Sequence, residues 1–177
     1  TNGMHSYISG ADMSMAAVAR RFCPHDVPKR RIAAGEKARV NLLGVTPLDF
    51  SVTGNVEAIK KVYEDNGYHI QSCWAMGSSW DELMSAGGAD VSVVLSSAGM
   101  SLAKVFEEIY GMPYVVGVPV GEKLSELIFK LIDTASETGE NSHIPNRNRK
   151  YSAAEKPVCV IGEQVCADSI ANALRLD

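Results

Sequence analysis

The chain has 177 residues, 46% hydrophobic and 21% charged, with 17 basic and 21 acidic side chains giving a net charge of -4. That length buries roughly 70% of the unfolded surface in a single core, and the acidic balance, with no basic stripe interleaved with aromatics, excludes a nucleic-acid groove. Apolar runs stop well short of the ~18 residues of a membrane span, and no signal-like segment opens the chain, so no membrane partner is expected and the compartment read from sequence is cytoplasmic.

The first ten residues form no predicted element, and the chain reads as a piece of a longer protein. Asp12 can cap a helix running to about Phe22, with Arg20 and Arg21 near its carboxyl end, where cations suit the dipole. Cys23 to Ala38 carries two prolines and the basic cluster Lys29-Arg30-Arg31, read as a solvated crossing. Between Arg39 and Ile132 one unit then repeats four times: apolar strand, Gly, Ser or Thr-rich break, amphipathic helix.

The predicted strands are Val40–Val45, Ile70–Trp74, Val91–Leu95 and Tyr114–Val118. The first break, around Thr46-Pro47-Leu48-Asp49-Phe50, precedes a helix from about Asn55 that ends at Asn66-Gly67. Met76-Gly77-Ser78-Ser79 leads into a short helix, because Ser79-Trp80-Asp81-Glu82 has the spacing of a capping box. Ser96-Ser97-Ala98-Gly99 opens a helix closed by Gly111. The most regular helix follows Gly117-Val118-Pro119-Val120-Gly121, with Leu124, Leu127, Ile128, Leu131, Ile132 and Ala135 on one face.

The expected organisation is an N-terminal helix and connector over 1–35, an α/β domain over 36–138, a polar linker over 139–156, and a strand and helix over 157–177. The last strand, Val158–Ile161, either adds a fifth strand or opens a neighbouring domain. Near-continuous β-branched runs alternating with helices call for a three-layer α/β/α fold around a parallel, Rossmann-like sheet of four to five strands. The breaks after the strands then share one sheet edge, where such folds bind ligands.

Thr46, Gly77, Ser96, Ser97, Gly99 and Val118 are accordingly the candidate lining of a cleft. Ser96, Ser97 and Gly99 sit between a strand and a helix amino terminus, so they either cradle an anion or a polar cofactor edge or simply cap the helix. The Gly77 break has the same two readings, and Thr46 with Asp49 is either crevice lining or turn chemistry. Cys23, Cys73, Cys159 and Cys166 are too scattered for a disulfide framework or a metal site, and His5, His25, His69 and His143 have no ligand or triad spacing. No dinucleotide, P-loop or nucleophile-elbow motif occurs.

Val40-Asn41-Leu42-Leu43-Gly44, Tyr63-Glu64-Asp65-Asn66-Gly67, Trp80-Asp81-Glu82-Leu83, Gly88-Ala89-Asp90-Val91-Ser92-Val93-Val94, and Tyr110-Gly111-Met112-Pro113-Tyr114 with Gly117-Val118-Pro119 follow one another in this order and spacing. Over about residues 36 to 133 the chain resembles the nitrogenase component 1 family, which includes the molybdenum-iron protein subunits, their cofactor-scaffold relatives and the light-independent protochlorophyllide reductase subunits. The resemblance implies strand order 2-1-3-4 and the central domain of a three-domain subunit, and Val158 to Leu174 resembles the first strand and helix of the next domain. It also implies an oxidoreductase fed by an ATP-dependent iron-sulfur reductase partner, with a paralogous or identical subunit and the other domains of the parent as further partners. The iron-sulfur cluster is expected in the full-length parent, with no cofactor in this fragment. By the same resemblance Ser96 stands where the molybdenum-iron α subunit has a cluster-binding cysteine, and a hydroxyl is a poor substitute for a thiolate toward iron. A small-molecule binding module and an assembly scaffold without redox chemistry are the alternatives.

Overall fold

Strands that are apolar on both faces have to be covered on both faces, and the chain arranges them so. The computed structural model describes residues 6–33, 35–144 and 158–176. Its strands are β1 (Arg39–Leu43), β2 (His69–Cys73), β3 (Val91–Val94), β4 (Tyr114–Val116) and β5 (Ser142–His143). They form one all-parallel sheet in the order β2-β1-β3-β4-β5. The helices are α1 (Tyr7–Phe22), α2 (Asn55–Asp65), α3 (Trp80–Met84), α4 (Met100–Tyr110), α5 (Glu122–Thr138) and α6 (Gln164–Leu176).

Alternation along each strand divides the core in two. Val40, Leu42, Val93 and Val115 pack with Tyr63 of α2, with Leu124, Ile128 and Ile132 of α5, and with Val165 and Ala173 of α6. On the other face, Leu43 and Val94 pack with Ala16 and Ala19 of α1 and Leu102 and Phe106 of α4. This second face also carries a buried polar rung, because Asn41 is in register with Ser72 on one side and Ser92 on the other. The Trp74 indole donates to Ser72 Oγ at 3.0 Å, Ser72 Oγ donates to Asn41 Oδ1 at 2.6 Å, and Asn41 Nδ2 donates to the Ala86 carbonyl at 2.9 Å.

Several local signals are realised. Ser79 and Glu82 form a complete capping box at α3, and Gly111 closes α4 in the left-handed conformation. Two expectations are corrected. The first helix begins at Tyr7, capped by Ser6, whose side chain accepts from the Ser9 amide. Asp12 lies inside that helix and caps a different one: its Oδ1 accepts from the Ser101 amide at 2.7 Å, and its Oδ2 accepts from the Ser101 hydroxyl.

The fifth strand also comes from elsewhere. It is Ser142–His143, inside the stretch read as a polar linker, and it pairs with Val115 and Val116. Asn141 Oδ1 accepts from the Tyr114 amide at 2.9 Å, and Ile144 covers Gly117, where an added Cβ would lie 2.8 Å from its Cδ1. Among the described residues Val158–Ile161 makes no sheet pair, and Val158 is 74% and Ile161 92% exposed. Residues 145–157, most of the expected linker, lie outside the described residues.

Candidate functional site

A parallel sheet sends all its strands out at one edge, and bonds just beyond the strands fix how the tips align here. The Val45 amide donates to the Trp74 carbonyl at 3.0 Å, Leu95 to Leu43 at 2.9 Å, and Gly117 to Val94 at 3.1 Å. Thr46, Gly77, Ser96 and Val118 all follow these bonds, on the carboxyl edge. β1 and β3 are neighbours although β2 lies between them in sequence, which puts the switch in strand order at the Thr46 and Ser96 loops.

At this switch Thr46, Ser96 and Gly99 gather around Gly44. Gly44 takes φ +83°, and a Cβ on it would stand 2.8 Å from Ser96 Oγ and 2.9 Å from the Gly99 nitrogen. Ser96 is wholly buried: its hydroxyl donates to the Gly44 carbonyl at 2.9 Å and accepts from the Ala98 amide at 3.3 Å. Thr46, also buried, donates its hydroxyl to Asp49 Oδ2 at 2.9 Å. A Cβ on Gly99 would meet the Leu43 backbone at 2.8 Å, so the two loops touch main chain to main chain. Gly77 is set apart from this group, against Val56 and Lys60 of α2, with φ +89°.

Ser97 carries the arrangement outward. Its amide and hydroxyl both donate to Glu163 Oε1, at 2.8 and 2.5 Å, while Glu163 Oε2 accepts from the Cys166 amide at 3.0 Å. An anion does sit on the Ser97 donors, and it is a carboxylate of the same chain. Further along α6, Ser169 Oγ accepts from the Val118 amide at 2.9 Å and donates to the Val165 carbonyl at 2.7 Å. The Cys166 thiol faces the Leu95 carbonyl at 3.7 Å. Burial, then the charges of Glu163 and Asp49, push that thiol up to about 12, so it is protonated and a donor.

The candidate lining identified from sequence omits Glu163, Cys166 and Ser169. The available signal is Ser169 itself, the polar member of the Val165, Ser169, Ala173 stripe that α6 buries. That spacing marks an inward-facing hydroxyl in need of a partner.

The opposite, amino edge of the sheet holds a hollow of about 800 Å³ between the connector and the turns entering β3 and β4. It is lined by charges that are largely paired with one another. Arg30, read from sequence as solvated, bridges Glu36 at 2.5 Å and Asp90 at 3.2 Å, and Lys37 pairs with Asp133 at 2.6 Å. Backbone donors converge instead at the carboxyl edge, around Ser97 and Val118.

The residues present do not fit an iron-sulfur cluster. Ser96 spends its hydroxyl on Gly44 and Ala98, and burial pushes the Cys23 and Cys73 thiols up to about 11 at separate places in the core. Among the described residues no three His, Cys, Asp or Glu side chains are arranged to hold a metal ion. No helix among them is long and apolar enough to cross a membrane.

Known proteins give this edge its context. A subunit of the light-independent protochlorophyllide reductase of Prosthecochloris aestuarii is 30% identical over 110 residues, covering 59% of this chain and 21% of the relative. The corresponding subunit from Rubrivivax gelatinosus is 24% identical over 142 residues, covering 78% and 26%, and that from Rhodospirillum rubrum is 32% identical over 95 residues, covering 53% and 17%. The chain thus matches only 17% to 26% of the length of these curated relatives. The model of the nitrogenase component 1 type oxidoreductases matches residues 2–157, which takes in the five-stranded sheet and every strand-tip loop described above, and so the chain belongs to that family.

Proposed function

We propose that this chain is the central domain of a nitrogenase component 1 type oxidoreductase subunit, and that its carboxyl edge forms one wall of the cleft between domains. The family match over residues 2–157 carries the reading. The relatives' names support a parent on the branch of light-independent protochlorophyllide reductase, a tetrapyrrole reductase. In this reading the parent works beside a paralogous or identical subunit and receives electrons from an ATP-dependent iron-sulfur reductase. The clusters belong to other parts of the assembly.

What this chain's own residues contribute is shape and polarity. Ser96, Gly44 and Gly99 lock the β1 and β3 tips together, and the half-buried Asp49, held by the buried Thr46 hydroxyl, gives the wall a polar rim. Purifying the parent polypeptide with its co-purifying subunit in the absence of oxygen tests the proposal. The expected preparation is brown, and its visible absorbance bleaches when the reductase partner, itself already reduced, and ATP are added. A colourless preparation without iron refutes it.

A further inference from the structure

We propose that α6 is a lid over the carboxyl edge, held shut by Glu163 as its latch. Two features of the helix point to this. Its apolar hold on the domain is narrow: Val165 and Ala173 are its buried apolar residues, Cys166 and Leu176 pack partly buried against the core, and Ile170 and Leu174 on the same helix remain exposed. Its hold on the strand tips is polar and lies at the switch in strand order, through Glu163 on Ser97, Cys166 on Leu95, and Ser169 on Val118.

The chemistry of opening follows from the same bonds. Lifting α6 breaks no covalent bond; it unpairs two backbone donors, Ser97 N–H and Val118 N–H, together with the Ser97 hydroxyl, and it parts the Cys166 thiol from Leu95 and the Lys123 ammonium from the Leu176 carbonyl. Unpaired amides away from water are costly. Water can serve these donors while the edge is open, so a ligand that fills the opened edge and displaces that water has to return acceptor atoms to them, as the Glu163 carboxylate and the Ser169 hydroxyl do when it is closed. The latch lies wholly within this chain and stands whether or not the parent is a redox protein.

Hydrogen exchange on the 177-residue chain tests the latch. Ser97→Pro removes both donors to Glu163 at the first position of a helical turn, where proline is tolerated. Glu163→Gln leaves the sheet untouched and replaces the charged acceptor with a neutral one. Both substitutions are expected to speed exchange of the Val165–Ala173 amides at least about tenfold while the Leu102–Phe106 amides of α4 stay protected. Unchanged exchange in α6 for Glu163→Gln, or α4 and α6 losing protection together in both variants, overturns the proposal. Alkylation gives an independent reading: Cys166 is expected to gain reactivity in Ser97→Pro, in which Glu163 is retained, while Cys73 stays silent. A Cys166 rate equal to that of the parent sequence in that variant overturns it as well.

Discussion

Replacing Asn41 by Ala tests whether the buried rung between β2, β1 and β3 holds the sheet as a connected network. In the native chain every member is paired, from the Trp74 indole through Ser72 and Asn41 to the Ala86 carbonyl. Asn41→Ala strands the Ser72 hydroxyl proton in a fully dry site, at about 1–3 kcal/mol. The lost amide bond to Ala86 adds about 1 kcal/mol; that carbonyl keeps its contact with the Ala89 amide at 3.2 Å. The expected total is about 2–4 kcal/mol. Ser72→Ala carries a similar cost of about 2–4 kcal/mol, because it strips the indole N–H of its acceptor and Asn41 Oδ1 of its donor. The double variant removes both halves of the central bond, so its cost falls short of the sum by about 1–2 kcal/mol.

Urea unfolding measures these differences through the midpoint at constant slope. A Trp80→Phe background leaves Trp74 as the one indole, since the chain has two tryptophans and Trp80 is half exposed. Additivity within about 0.3 kcal/mol refutes the network. A cost below about 0.5 kcal/mol for Asn41→Ala would mean that water reaches the rung and re-pairs what the substitution exposes.

Gly99→Ala is expected to destabilise by about 2–3 kcal/mol through overlap with the Leu43 backbone, whereas Gly139→Ala, left-handed at φ +73° with open space around it, costs only about 1 kcal/mol. Equal costs in urea unfolding would refute the close approach at Gly99. Ala75 is the one described non-glycine residue at positive φ, +86°, and it is exposed, so Ala75→Gly should raise stability by about 0.5–1 kcal/mol; a lowered urea midpoint would contradict this. The amide and then the hydroxyl of Ser79 hold Glu82 below the usual carboxylate range. A carboxylate whose value is lowered by folding stabilises the fold above its unfolded value and loses that contribution as pH falls through the lowered one. Between about pH 5 and pH 3 the urea midpoint of Glu82→Gln should therefore fall less steeply than that of the parent sequence; parallel profiles would show that the capping box does not contribute in solution.

What is legible in the sequence is whatever neighbouring residues decide among themselves. The Ser79-Glu82 box, the Asn66-Gly67 stop and the Gly111 stop each depend on backbone groups within a few residues, and each is realised. The four-fold alternation calls for a parallel sheet, and right-handed crossovers leave few ways to wind it; the particular order, with β1 beside β3, is what the family resemblance implies. Asp12 misleads because its partner, Ser101, lies 89 residues away. β5 escapes a sequence reading because Ser142 and His143 have no strand signature of their own: Asn141 and Ile144 hold them by contacts with the β4 region. Val158–Ile161 shows the converse. Its β-branched pattern is that of a strand, but a pattern cannot supply a partner, and among the described residues it has none in this sheet.

The loops of the candidate site are legible in the sequence, and their chemical state is not. Ser96 and Ser97 both stand where a helical turn offers free amides, and sequence allows an external anion or a simple cap. The structure divides the two roles: Ser96 accepts from Ala98 and ties the turn to Gly44, while Ser97 receives an anion from 66 residues further along the chain. With Ser169 on Val118, the exits of β3 and β4 are both satisfied by one helix, and the Thr46 exit of β1 by Asp49. A wall so completed gains nothing in polar contacts from a ligand that merely touches it, because each bond made there has to replace one of about equal worth. If α6 lifts as proposed, selectivity at this edge depends on the difference between the closed state and the state with α6 displaced, and a ligand that carries its own acceptors to Ser97 and Val118 shifts that balance.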